Sequence, residues 1–179
     1  VIISILRLGR TQVDRFANIL EQISIWVGER VKWLTTILVL LIFIDVVLRY
    51  LFSQTSAWVI ELEWHVFALI FILGAGYTLA EDQHVRVDVF YTRFSPRRKA
   101  WVNLIGTLFF LVPWCLIIVY TSYHYAENSF AVQETSPDPG GLPARYLIKF
   151  SVTIGFSLLL LQACVLCLKS IVVITKKDK

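Results

Sequence analysis

The chain has 179 residues, of which 57% are hydrophobic and only 17% charged, against about 45–50% and about 25% in an ordinary soluble domain. So little polar material cannot cover a core of this size in water, which excludes a soluble globular domain and leaves lipid as the solvent for the apolar surplus. The net charge of +4 is not gathered into a basic stretch interleaved with aromatics, so no nucleic-acid partner is expected, and all three cysteines fall in apolar runs, where no disulfide framework is expected.

The first predicted element is an amphipathic helix over about residues 11–30. Val13, Phe16, Leu20, Ile23 and Val27 recur at spacings of three and four, with Ala17 and Trp26 alongside, while Asp14, Arg15, Asn18, Glu21, Gln22 and Glu29 fill the other face. Such a helix suits the cytoplasmic membrane surface; the alternative is that it extends the first span or packs on another protein. The chain contains no methionine, so its numbering is expected to start after the start codon. The first long apolar run lacks a small-residue cleavage pattern, so no signal peptide is expected.

Four runs have the roughly 20 apolar residues that a helix needs to cross a hydrocarbon core about 30 Å thick. They cover about 33–52, 58–80, 97–124 and 148–174. None alternates like a barrel strand, so the fold class is an all-α integral membrane protein, 1–179 forming a single membrane domain. Ser95-Pro96 reads as the N-cap and first helical residue of span three. Pro113 should kink that span in its middle. Pro137, Pro139, Gly140, Gly141 and Pro143 mark an irregular loop over roughly 127–145.

Basic residues set the orientation. Arg7, Arg10, Arg15, Arg30 and Lys32 precede span one; Arg86, Arg93, Arg97, Arg98 and Lys99 lie between spans two and three; Lys169, Lys176, Lys177 and Lys179 close the chain. These fourteen of 17 share one side, which is therefore the cytoplasmic one, with both termini on it.

The charged and polar groups within the spans admit two readings each. Asp45 and Arg49 are four apart on one face of span one, either a structural or partner-facing pair or part of a transport path. Glu61 and Glu63 sit in the first turns of helix two, where the helix dipole favours anions, and either cap that helix or meet a partner. His65 and His124 would have to be haem ligands in a b-type cytochrome, but lie near span ends where solvated or capping histidines are expected. Cys164-Val165-Leu166-Cys167 has redox spacing, yet in an apolar helix a thiolate is desolvated and the pair reads as small packing residues. After span two, Val85, Val87 and Val89 alternate with His84, Arg86 and Asp88, an order that a solvated loop does not need and a docking segment would use.

With these residues in view, the chain resembles the small membrane subunit of tripartite ATP-independent periplasmic (TRAP) transporters. The likeness rests on Val46-Val47-Leu48-Arg49-Tyr50-Leu51-Phe52, on the glutamate-bearing stretch 58–64, and on Gly74-Ala75-Gly76-Tyr77 followed by His84-Val85-Arg86-Val87-Asp88. It extends to the Pro-rich loop followed by Gly155-Phe156 and Leu158-Leu159-Leu160-Leu161-Gln162, and spans about residues 16–170. Glu81-Asp82 departs from the basic or neutral residues common before that histidine, and the loop 134–145 resembles only part of the family. The resemblance implies a large membrane subunit holding the substrate path and sodium sites, a periplasmic binding protein delivering carboxylates, and a scaffolding role for the small subunit in the bacterial inner membrane. The C-terminus ending Lys176-Lys177-Asp178-Lys179 is expected to belong to a chain separate from its large partner. On this reading Asp45, Arg49, Glu61, Glu63, His84, Arg86 and Asp88 contact the large subunit, Glu134, Asp138 and Arg145 dock the binding protein, membrane lipid covers the rest, and no cofactor, metal or catalytic residue is expected. The residues leave two other classes open: a self-contained redox protein (b-type cytochrome or thiol/quinone oxidoreductase) and a small multidrug efflux pump using Asp45, which Arg49 would neutralise.

Overall fold

A computed structural model describes the backbone of residues 2–82, 91 and 93–176, and their side chains apart from 2–14 and 16. The described residues are helical with short connections and no strand: α1 (Ile2–Phe52), α2 (Ala57–Ala80), α3 (Pro96–Gly106), a π-helical turn (Thr107–Leu111), α4 (Val112–Ala131) and α5 (Tyr146–Thr175). Four helical stretches among them are long and apolar enough to cross a membrane: Ala17–Phe52, Ala57–Ala80, Pro96–Ala131 and Tyr146–Thr175.

The amphipathic segment and the first span are one uninterrupted helix of 51 residues. At 1.5 Å per residue it is about 76 Å long, more than twice the hydrocarbon core, so a large part of it lies outside that core. Only residues 53–56 join α1 to α2, and so short a connection makes the two antiparallel neighbours.

Span three starts as its sequence indicates, with the Ser95 hydroxyl accepting the Arg98 N–H and Pro96 at the first helical position. Pro113 acts one turn earlier than its own position. Its ring crowds the carbonyl of Phe109 and it has no N–H to return to it, so the ladder widens into the π turn, where Val112 N–H bonds Thr107 O. Helix α4 then runs on to Ala131, so the loop is 132–145 and Glu127 lies on the helix rather than in the loop.

Helix α5 is the organising element. It packs against α1, α2, α3, α4 and the π turn, while α1 and α2 also pack on each other. Small residues make up about half of the buried set: Ala17, Ala100, Cys115, Ala126, Ala163, Ser24, Thr107, Ser129, Ser151 and Ser170, alongside Val31, Val59, Val66, Leu79, Leu159, Val165, Asp45, Glu61 and Gln162. Large side chains point outward, among them Trp33, Phe43, Phe71, Phe109, Phe110, Trp114 and Tyr120. This is the reverse of a soluble core. In lipid an exposed Phe costs nothing, and helices gain by close backbone approach over small residues. Gly155 shows the approach directly: a Cβ there would lie 2.3 Å from Ile72 Cγ2 and 2.7 Å from Ile72 O. At the α1–α2 crossing a Cβ on Gly28 would lie 2.2 Å from the Tyr77 ring. Ser122 and Thr153 hydroxyls meet at 2.9 Å between α4 and α5.

Candidate functional site

The bundle end that carries residues 53–56 and 132–145 holds most of the expected site residues. Glu61, one turn into α2, is only 4% exposed. Its Oε2 accepts the backbone N–H of Leu142 at 2.6 Å and its Oε1 accepts the Ser136 hydroxyl. The loop folds tightly around that carboxylate. Ser136 N–H bonds Leu142 O at 3.1 Å, Gly141 N–H bonds Asp138 O at 2.9 Å, and Asp138 N–H bonds the Ser136 hydroxyl at 3.1 Å. Gly140 takes a φ of +77°, which suits glycine. Gly141 is glycine for space, since a Cβ there would fall 2.4 Å from Ser136 Oγ and 2.8 Å from Glu61 Oε2. Glu61 thus caps no N–H of its own helix; it clasps the loop. In the next turn His65 Nδ1 donates to the Glu61 carbonyl at 2.5 Å.

Glu134 anchors the other root of the loop. It accepts from the Ser129 hydroxyl at 2.6 Å and from the Lys149 ammonium, and its carbonyl takes Arg145 N–H at 2.9 Å. The Lys149 hydrogen bond, seconded by Ser129, holds the Glu134 carboxyl below the usual carboxylate range. Lys149 also sits 4.0 Å over the Tyr125 ring, and Arg145 5.9 Å over Trp64. Asp138 is exposed at the loop tip. Glu61, Glu134, Asp138 and Arg145, expected in two separate groups, therefore belong to one structure that ties α2, α4 and α5 together at this end.

Asp45 and Arg49 form the expected i, i+4 pair on α1, with Arg49 Nη2 donating to Asp45 Oδ2. The Asp45 carboxylate is buried, with 7% of its side chain exposed, whereas 45% of the Arg49 side chain is exposed. Glu63 on α2 lies within electrostatic reach of both. Two glutamates that look equivalent in the sequence thus have different roles, Glu61 turned to the loop and Glu63 to α1.

The opposite end carries links that the sequence reading did not pick out. Lys169 of α5 donates to both carboxylate oxygens of Glu21 on α1, each at 2.6 Å. Lys32 Nζ bonds Glu29 at 2.6 Å and stands 4.7 Å over Tyr77 of α2. Charge alternation was visible there, but nothing in it names a partner 148 residues away. His84, Arg86 and Asp88 lie outside the described residues. The His124 ring nitrogen meets Glu127 at 3.3 Å and packs edge-on to Tyr120. Cys115 is buried, Cys164 exposed and Cys167 half-buried, all three free. Among the described residues no three His, Cys, Asp or Glu side chains gather as a metal site would require.

Comparison with known proteins places this geometry. The family model described as "Tripartite ATP-independent periplasmic transporters, DctQ component" matches residues 38–172. A Haemophilus influenzae protein described as "Putative TRAP transporter small permease protein" is 31% identical over 94 residues, 51% of this chain. The match spans 58% of that relative's length. Four membrane-length helices and a match over three quarters of the sequence lead to one conclusion: the chain belongs to the DctQ-component family of the tripartite ATP-independent periplasmic transporters.

Proposed function

We propose that the chain is the small permease subunit of a TRAP transporter in the bacterial inner membrane, where it scaffolds a large membrane subunit during sodium-coupled uptake of an organic acid delivered by a periplasmic binding protein. The observation that carries this reading is the distribution of charge along the spans. Residues 33–44, 64–80, 101–126 and 150–168 contain no Asp, Glu, Lys or Arg. A self-contained ion-coupled carrier places convergent charges or broken helices at mid-membrane. Here the ionisable groups sit toward the helix ends, where they tie helices and a loop together, as a scaffold requires.

Both termini are on the cytoplasmic side in this reading, the clasped loop 132–145 faces the periplasm, and the amphipathic part of α1 rests at the cytoplasmic membrane edge. Asp138 and Arg145 then meet the binding protein from a loop held still by Glu61 and Glu134. Lipid covers the outward aromatic side chains that no partner covers. The redox and multidrug-pump readings lack a supporting feature: His65 and His124 bond within their own helices, and Asp45 is neutralised by Arg49.

The test is gentle extraction of the tagged chain from native membranes, followed by reconstitution. A large multi-span protein should accompany it in roughly equal amount, and a sodium gradient should drive organic-acid uptake only when both proteins and the binding protein are present. Uptake by the large protein without this chain would refute the scaffolding role, and recovery of this chain alone would refute the assembly.

A further inference from the structure

Arg93, Arg97, Arg98 and Lys99 crowd the start of span three, the three arginines exposed and Lys99 half-buried. Among the described residues none of the four forms an ion pair, whereas Lys32, Arg49, Lys149 and Lys169 each hold a carboxylate. The Lys99 ammonium stands 5.1 Å over the Tyr91 ring, which leaves its charge unneutralised. Helix stability does not call for these cations. The first turn of α3 carries no acid, and positive charge at a helix start opposes the helix dipole.

From Arg97 a spacing of four carries one face of the span through Trp101, Ile105 and Phe109. All four side chains are exposed. At 1.5 Å per residue, Trp101, Ile105 and Phe109 stand about 6, 12 and 18 Å beyond Arg97 along the axis. One half of a hydrocarbon core about 30 Å thick is about 15 Å. The stripe therefore matches one leaflet, with cations at headgroup depth, an indole at the interface and apolar side chains along the tail.

We propose that Arg97, Arg98 and Lys99, with the stripe of Trp101, Ile105 and Phe109, form a binding site for an anionic phospholipid. Its headgroup charge meets the cations and an acyl chain lies along the stripe. Charge complementarity selects an anion, and the stripe selects one that carries a tail. A zwitterionic lipid would bring a further cation to a place that already has an excess. An acidic segment of a soluble partner could meet the cations but could not follow the stripe into the hydrocarbon. Helix α4, the other half of the span, contains no Lys or Arg, so its exposed Trp114 and Tyr120 face lipid without this charge selection.

The test uses the full chain in nanodiscs of phosphatidylglycerol and phosphatidylcholine in equal amounts. Native mass spectrometry after release should find phosphatidylglycerol retained in preference. Arg97→Gln, Arg98→Gln and Lys99→Gln should each lower that preference about fivefold, the worth of one cation near an anionic surface, and the triple variant should abolish it. Trp101→Ala should weaken retention, and Trp114→Ala should not. The glutamine variants should melt with the wild type in pure phosphatidylcholine, which separates lost binding from lost folding. Equal preference in the wild type and the triple variant, or equal sensitivity to Trp101→Ala and Trp114→Ala, would overturn the proposal. So would inorganic phosphate displacing the retained lipid, which would make the cations a site for free anions. Loss of a co-purifying protein from native membranes in the triple variant, with lipid retention unchanged, would assign the patch to an acidic protein instead.

Discussion

The Glu61 carboxylate accepts the backbone N–H of Leu142 at 2.6 Å across 81 residues of sequence. With the Ser136 hydroxyl on its other oxygen, it hydrogen-bonds the 132–145 loop to α2 at two points. Truncation to alanine would leave the Leu142 N–H and the Ser136 hydroxyl without this acceptor, and an unmet buried donor costs more than a hydrogen bond contributes. Amide exchange at Leu142 should therefore accelerate about tenfold or more in Glu61→Ala, by analogy with the net worth of hydrogen bonds to charged groups. Glu61→Gln should give an intermediate result, because its amide can accept from only one of the two donors. Glu63→Gln should leave Leu142 exchange unchanged. Equal protection of Leu142 in wild type and Glu61→Ala would show that the loop is held by its own turns.

The α2–α5 contact makes a second prediction. Gly155→Ala would drive a methyl to within 2.7 Å of the Ile72 carbonyl, which belongs to backbone and cannot rotate away. The helices must separate, at a cost of about 1–3 kcal/mol, as for other overpacked sites. Gly76→Ala meets Leu158 O at 3.3 Å and should cost less. Gly106→Ala meets nothing within 4 Å and should leave stability equal or improved. Thermal unfolding of the three variants in one detergent ranks them; a Gly155→Ala chain as stable as Gly106→Ala would mean the two helices are not in this contact.

The four membrane-length helices, the start of span three and the Asp45–Arg49 pair were legible because each depends on local sequence: apolar run length, a Ser-Pro cap and an i, i+4 spacing. What escaped depends on distance in sequence. Glu61 and Glu63 differ by two positions, and two positions on a helix turn a side chain by about 200°, so one met the loop and the other met α1. The buried face of the amphipathic segment also differs from the one that hydrophobicity marks. Ala17, Ser24, Gly28 and Val31 are covered while Ile23 and Trp26 stand exposed. Periodicity of large apolar residues finds the packed face in water; between helices in lipid the packed face is the one with small residues. Pro113 was readable as a disturbance, but not as a π turn placed ahead of it.

Glu134 gives the loop a pH dependence whose sign follows from its environment. Its folded pKa lies below the ordinary carboxylate value, first through the Lys149 hydrogen bond and then through Ser129. The contribution to loop stability is therefore complete above the unfolded value, about 4.3, and is lost as pH falls through the lower folded value. Proteolysis or exchange at 133–145, corrected for intrinsic rates, should stay flat from pH 7 to 5 and rise only at more acid pH. Glu134→Gln should already be loosened at pH 7 and show no further step of this origin. Loosening of the wild-type loop between pH 7 and 5 would contradict the Lys149 pairing.

Lys169 and Glu21 decide how the long first helix is held at the opposite end. The Lys169 ammonium bonds both Glu21 oxygens, and Glu21 is the more covered partner, with 16% of its side chain exposed against 40% for Lys169. Nothing closer in the chain could supply this link, since α1 and α5 are the first and last helices. Glu21→Gln and Lys169→Met should each lower stability in detergent, with a coupling of about 1 kcal/mol in the double-mutant cycle, near the upper end for partly exposed pairs. The exchange of charges in Glu21→Lys with Lys169→Glu should recover much of the loss. Spin labels on α1 near residue 19 and on α5 near residue 173 should hold a narrow distance distribution in the wild type and a broadened one in the single variants. Zero coupling, with an unchanged distribution, would mean that the inner part of α1 is held by the small-residue face of Ala17, Ser24 and Gly28 alone, and that the ion pair follows from that packing rather than maintaining it.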